Sequence, residues 1–476
     1  MSDLSNVKYP TDFELKEITL FCSFGPISLK QQLVELNLFE DLFAGTLSGQ
    51  IVLSDSVGII NGASLNGTEY IKITLDKTIS EGIEIERVFR VFSITNRSFS
   101  INNTFETYTI NICSDEFLLS EQYRICKSYK KQTISNIIKD ILNNFLGVGL
   151  PNTKPASVED TVFTYDFILP NKKIFETINW LSLYASPAKN GYSGTGNNLN
   201  GADMIFFENN DGLYFASLAT LFTQPALATY NFAPKNVTSD LNQEYYNIMN
   251  LEILENFDTL KGIMNGTFAN RLITFDPLLR KKYVTDYNYN TLAGNYQSLN
   301  GAPITNNYEN RFNQTLYDAP GSSIKSKQFE AGVLRMAAGN YNQLNQSNYL
   351  KQAPETIAND INAENYIPNR VGQLALSQYQ KIRITVPGNP ELFVGMTLEV
   401  NVEAVSLTTA KNERSVDNQL SGKYLVSAIR HIVNNTSYIT VIELCKGSNL
   451  GAYAGATLSD PIWKSLVSGN QKITAT

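Results

Sequence analysis

The sequence predicts a mixed α+β fold dominated by β-structure: two like sheet-rich domains from an internal duplication, an α+β domain between them, and an insertion in the second. Three observations predict it. Residues 45–55, GTLSGQIVLSD, read like residues 266–276, GTFANRLITFD. Both stretches begin Gly-Thr and end at Asp, and Leu47 falls on Phe268, Ile51 on Leu272 and Val52 on Ile273. FEDL at 39–42 precedes the first as FDTL at 257–260 precedes the second. The downstream ends also repeat. VFSITNR from Val91 and YTINICS from Tyr108 lie beside LVSAIRH from Leu425 and TVIELCK from Thr440, placing Ser93 on Ser427 and Cys113 on Cys445. Between the two copies the texture changes to helical periodicity.

Over residues 13–52 the apolar runs ITLFCSF, LVELNLF and LSGQIVLSD have strand length. Gly25-Pro26 and Ala44-Gly45 break them, as expected for an antiparallel sheet. Residues 57–65, VGIINGASL, read as a short helix or turn. EYIKITLD, VFRVFSITN and ETYTINICS then alternate with polar or Gly-containing connections. The first domain, 1–125, is therefore a small sheet closing into a barrel with one crossing helix. Past Gln132, Ile134, Ile137, Ile138, Ile141, Leu142 and Phe145 recur at helical spacing, with Thr133 as N-cap and Gly147 as the stop. A second helix is expected over 173–185. A Gly- and Asn-rich loop at 190–203 leads into MIFFENNDGLYFASL, a hairpin turning at Asn210-Asp211-Gly212. Residues 126–240 thus form the α+β middle domain. The second sheet domain takes 241–276 and resumes over 369–448, opening with the short helix NRVGQLALSQY. The insertion, 277–368, is rich in Asn, Gln and Tyr and reads as irregular extended segments with a helix over 329–338. Residues 449–476 read as an exposed tail whose large apolar cluster, Ile462, Trp463 and Leu466, is the candidate partner-binding site.

The chemistry-bearing residues point away from catalysis. The single histidine, His431, is expected at a strand end as a half-exposed polar residue opposite Arg97, and no catalytic role is assigned to it. Cys22, Cys113, Cys126 and Cys445 make no CxxC or zinc-ligand spacing and read as small buried apolar residues, so no metal or cofactor is expected. Glu84 with Glu86 merely share a strand face, and Asp115 with Glu116 point apart, whereas glycosidase carboxylates face each other across a cleft. GYSGTGNN lacks the Lys-Ser/Thr ending of a P-loop. A net charge of -7 opposes a nucleic-acid-binding face. No run of about eighteen apolar residues is present, and the N-terminus lacks a signal-peptide pattern, so folding in cytoplasm is expected.

The C-terminal run VPGNPELFVGMTLEV, then LSGKYLVSAIRHIVNNTSYITVIELCKGS, resembles the central baseplate hub protein of contractile-tail bacteriophages, itself similar to the amino-terminal part of VgrG. The residues that carry the resemblance are Pro387, Gly388, Val394, Gly395, Leu420, Gly422, Tyr424, Val426, His431, Tyr438, Thr440 and Lys446. FEDLFAGTLSGQIVLSDSVG, FETINWLSLYASPA, FFENNDGLYFASL and NGTFANRLITFD add to it. The resemblance implies two tube-type barrels per chain and a homotrimer whose six barrels ring a channel. It further implies tail tube or tube-initiator, central spike and baseplate wedge proteins as partners, DNA passing without specific binding, no membrane, and a place in the virion tail baseplate. The competing class is a tail-associated carbohydrate-binding or glycan-processing protein, hinted at by the tyrosines between Tyr283 and Tyr317.

Overall fold

The computed structural model describes residues 13–76, 84–102, 104–148, 154–188, 203–232, 246–256, 258–267, 269–276, 281–288, 296–300, 302–303, 333–338, 363–404 and 416–450. The chain opens with β1 (Glu14–Cys22), β2 (Gly25–Ser28), β3 (Leu33–Asp41), β4 (Ser48–Asp55), α1 (Ile59–Ala63), β5 (Tyr70–Asp76), β6 (Glu84–Phe99) and β7 (Glu106–Cys113). Inward alternation shapes these strands: Leu36 and Leu38 of β3, Ile51 and Leu53 of β4, and Ile71 and Ile73 of β5 are all fully buried in one core. Asp55 ends β4 by accepting from the backbone N–H groups of Val57, Gly58 and Ile59 at 2.7, 2.9 and 2.6 Å, which starts α1.

The middle segment follows with α2 (Asp115–Gln122), β8 (Arg124–Ile125), β9 (Ser128–Thr133), α3 (Ile134–Phe145), β10 (Ala156–Val158), β11 (Thr164–Ile168) and β12 (Lys172–Lys173). It continues through α4 (Ile174–Ser182), β13 (Met204–Glu208), β14 (Leu213–Ser217), α5 (Leu218–Thr223) and β15 (Thr229–Phe232). As expected, the Thr133 hydroxyl caps α3 by accepting from the Asn136 N–H at 3.3 Å. The isoleucine stripe of α3 is buried against α4 and the hairpin of β13 and β14, each side chain contributing about 1.5–3 kcal/mol. That hairpin turns at Asn210-Asp211-Gly212, where a Cβ on Gly212 would lie 2.3 Å from the Pro155 carbonyl oxygen.

The remainder comprises β16 (Asn250–Glu255), α6 (Thr259–Asn265), β17 (Ala269–Asp276), β18 (Lys281–Asn288), β19 (Ala302–Pro303), β20 (Val333–Ala338) and α7 (Ala363–Ser377). The chain then forms β21 (Gln380–Pro387), β22 (Thr397–Val402), β23 (Gly422–Asn434), β24 (Tyr438–Lys446) and β25 (Ser448–Asn449). The architecture is β-dominated, organised by one large sheet with the neighbour order β16-β21-β24-β23-β3-β4-β7-β6-β5-β1-β2, and with β22 and β15 branching from β23.

Two runs within this sheet, β3-β4-β7-β6-β5 and β16-β21-β24-β23-β22, share a neighbour order and a register. Cys113 faces Ser48 and Arg90, and Cys445 faces Lys381 and Leu425. A bulge follows at the same place in each, at Phe92 and at Ser427. Tyr70 pairs with Arg90 as Thr397 pairs with Leu425. The second run continues past β22. β15 lies parallel to β22, while Asn231 bridges Asn247, its N–H donating to the Tyr246 carbonyl at 2.9 Å and its carbonyl accepting from Ile248 at 3.0 Å, just before β16.

Several expectations are corrected. β17 does not stand in the large sheet as β4 does; it pairs with β18 and β20 in a sheet of its own, and β21 occupies the position next to β24. An eight-residue alternating pattern carries no register, and β21, with Ile382, Ile384 and Val386 fully buried, fills the core at that place. Ser427 is the equivalent of Phe92, not of Ser93, because Val91 and Val426 hold the same register position in their hairpins. Of the helix expected over 329–338, the described residues 333–338 are the strand β20, stabilised by parallel pairing to β17. β15, from within 126–240, joins the second run. Cys126 is exposed and Cys22 half-buried, whereas Cys113 and Cys445 are buried as expected.

Candidate functional site at the junction of the two runs

The outer edge of β3 pairs antiparallel with the C-terminal half of β23, from Asp41 opposite Ala428 to Glu35 opposite Asn434. This ladder joins the two runs into one sheet. The Leu42 N–H extends it at one end by donating to the Ser427 carbonyl at 2.9 Å, and within it Arg430 Nε donates to Asn37 Oδ1 at 2.9 Å. Leu36, Leu38 and Val433 are fully buried around it.

Beneath the ladder lies a polar knot that ties three segments together. Glu40 is buried, and one carboxylate oxygen accepts from Arg87 Nη2 at 2.7 Å while the other accepts from the Val394 N–H at 3.0 Å. Arg87 Nε also donates to Asn210 Oδ1, in the turn between β13 and β14. In the same turn, buried Glu208 accepts from the Leu47 N–H at 3.0 Å, from Ser114 Oγ at 2.7 Å and from Lys154. Asn209 Nδ2 reaches the Val394 carbonyl at 3.4 Å. Three consecutive residues of the middle segment therefore hold both runs. Gly395 permits the close approach: its φ is +85°, and a Cβ there would lie 2.9 Å from the Phe207 ring.

The residues singled out in the sequence fall as follows. His431 is not half-exposed; it is completely buried in β23, its Nδ1 2.9 Å from the Tyr438 hydroxyl. The strand carries it past the junction instead of ending there. Burial, together with the positive charge of Arg87, pushes the imidazole down to about 3, so it is neutral and sealed from any substrate. Asp115 pairs with Arg90 at 3.0 Å, Glu86 with Lys72 at 3.0 Å, and Glu116 with Lys154 at 3.8 Å. Burial pushes the Glu116 carboxyl up, with Lys154 opposing. Among the described residues no three His, Cys, Asp or Glu side chains gather as a metal site. No helix among them is long and apolar enough to cross a membrane. Ile462, Trp463, Leu466 and the GYSGTGNN stretch at 191–198 lie outside the described residues, and of the tyrosines between Tyr283 and Tyr317 Tyr296 is half-buried while the others lie outside the described residues or have side chains that do.

The knot itself was missed, although a signal existed. Glu40 shares parity with Leu36 and Leu38, Arg87 with Phe89 and Val91, and Glu208 with Met204 and Phe206. A charged residue on the apolar parity of a strand points into a core and needs a partner there.

Over nearly its whole length the chain aligns with the probable baseplate hub protein gp334 of Vibrio phage KVP40: 24% identity over 456 residues, covering 90% of this chain and 93% of the relative. Its sequence resembles a phage baseplate hub protein. No protein-family model matches. Among solved structures, the tail protein from Neisseria meningitidis MC58 gives a TM-score of 0.48 at 9% identity, covering 90% of this chain and 96% of that one. The 43 kDa tail protein of prophage MuSo2 from Shewanella oneidensis gives 0.47 at 10% identity, covering 90% and 97%.

Proposed function

We propose that this protein is a structural hub of a contractile phage tail baseplate, located in the virion and acting by assembly without turnover of a substrate. The observation that carries the reading is the full-length likeness to a baseplate hub protein. Three chains form a ring that adapts a hexameric tail tube to a trimeric central spike, contacts the baseplate wedge proteins and lets DNA through. Support comes from the two sheet runs of matching order and register, which we read as duplicated tube-type barrels: two like units per chain let a threefold object present six similar surfaces. The channel lining is neutral to acidic, since a basic lining would hold DNA by counterion release. The C-terminal cluster Ile462, Trp463 and Leu466 is proposed to contact a partner. Electron microscopy of the purified protein, alone and with its spike, tests the reading. A threefold ring with a central hole is expected; a protein that stays monomeric with its spike present refutes it.

A further inference from the structure

We propose that Lys154 and Glu208 condense into an intramolecular amide bond, Nζ to Cδ, with release of one water, and that the neighbouring Glu116 carboxyl moves the protons. The inference concerns the chain alone and stands apart from the hub reading.

The reacting groups are assembled in the fold. Glu208 closes β13 with a side chain that is 0% exposed, and its two oxygens have different surroundings. Oε2 accepts from the Leu47 N–H at 3.0 Å and from Ser114 Oγ at 2.7 Å. Oε1 faces Lys154 Nζ at 2.5 Å. An amine at hydrogen-bond distance from a carboxylate oxygen lies about 3–3.5 Å from the carboxyl carbon, the separation of a reacting pair. Glu116 supplies the third group: one of its oxygens is 3.8 Å from the same Nζ, and its side chain is 15% exposed. Burial pushes this carboxyl up, Lys154 opposes, and the charge of Glu208 adds to the rise, so Glu116 takes a proton more readily than an exposed glutamate. Two carboxylates thus share one ammonium, while the adjacent Asp115 is engaged by Arg90 at 3.0 Å.

The condensation balances without a co-reactant. Glu116 carries one proton from the Lys154 ammonium to Oε1, leaving a neutral amine beside a neutral acid. The Nζ lone pair attacks Cδ, and negative charge gathers on Oε2 between the Leu47 N–H and the Ser114 hydroxyl, which stand as an oxyanion hole does. Nζ then yields a second proton to Oε1, again by way of Glu116, and the Cδ–Oε1 bond breaks to release water. One ammonium and one carboxylate become one amide and one water. In dilute water this equilibrium favours the separate ions. A pair held in contact reacts with an effective molarity of about 10⁵–10⁸ M, and the amide also removes the cost of keeping two ions out of water. In the product Oε2 keeps both donors as an amide oxygen, and the new N–H faces Glu116. The bond joins positions 54 residues apart, stapling the segment before β10 to the end of β13 where the middle segment grips the first run, and it restricts the unfolded chain as any such cross-link does.

Mass spectrometry of the intact, folded chain tests the bond. The wild-type chain should weigh one water less than its sequence requires, Lys154→Arg should have its full sequence mass, and peptide mapping of the wild type should yield a branched peptide joining Lys154 to Glu208. Glu116→Gln, with its circular dichroism unchanged, should form the branch about a hundredfold more slowly after refolding. A wild-type chain of full mass overturns the proposal whether or not any variant folds. A water loss that persists in Lys154→Arg overturns it as well, since succinimide formation at Asp211-Gly212 gives the same mass. A branch formed at the wild-type rate in Glu116→Gln overturns the part assigned to Glu116.

Discussion

Changing Glu40 to Gln should loosen the joint between the two runs by about 3–5 kcal/mol, the cost of leaving a buried charge without its partner. The side chains of Glu40 and Arg87 are 0% and 5% exposed, with 2.7 Å between the paired atoms. At an effective dielectric near 20 and a charge separation of about 4 Å, their attraction is about 4 kcal/mol, offsetting much of the desolvation of both groups. Gln keeps an oxygen for the Val394 N–H but puts either a neutral oxygen or an opposed donor before Arg87 Nη2. Arg87→Met alone should cost a similar amount, because it strands the carboxylate. The double variant Glu40→Gln with Arg87→Met should recover most of the loss, giving a coupling energy of at least about 2 kcal/mol. Hydrogen exchange at the amides of β3 and β23 reports the joint directly, and denaturant unfolding by circular dichroism reports the chain. If the two single effects add to within about 0.5 kcal/mol, the pair does not act as a unit and the reasoning is wrong.

Further predictions concern three other buried groups. Lys446 donates to the Ser421 carbonyl at 2.8 Å and stands over the Tyr424 ring, and burial pushes its ammonium down from 10.5 to about 7. Between these values the unfolded chain holds a proton that the folded chain lacks, so the native protein should gain about 1.4 kcal/mol per pH unit relative to Lys446→Met as pH rises from 7 to 10; parallel stability curves would contradict this. His431, pushed down from 6.5 to about 3, should cost stability by a similar slope as pH falls from 6.5 towards 3, and His431→Gln, measured the same way, should lose that slope. Gly388→Ala would set a Cβ 2.1 Å from the Tyr438 ring, and a loss of about 3 kcal/mol or more by thermal unfolding is expected.

The sequence makes local structure legible and leaves long-range pairing dark, for a physical reason. Thr133, the isoleucine stripe and the Asn210-Asp211-Gly212 turn act through neighbours a few residues away, and each lies where periodicity and turn chemistry place it. The β6–β7 and β23–β24 hairpins are also local, which is why Cys113 and Cys445 share a register position. The slot beside β24 is filled from a distance, by a strand that ends at Pro387 while β24 begins at Tyr438, and any alternating strand of the right length competes for it. β17 has the better sequence match to β4, but β21 takes the place. Alternation states which face of a strand is buried; it does not state which strand lies alongside.

Three buried charges, Glu40, Arg87 and Glu208, hold segments far apart in sequence to one another, and the one histidine is kept neutral inside the sheet they support. A buried ion pair contributes little net stability compared with an apolar core, but it tolerates only one arrangement of the groups around it. The β3–β23 ladder sets the register of the two runs, and the Glu40 carboxylate, bound at once to Arg87 and to the Val394 backbone, adds a second constraint on their relative position.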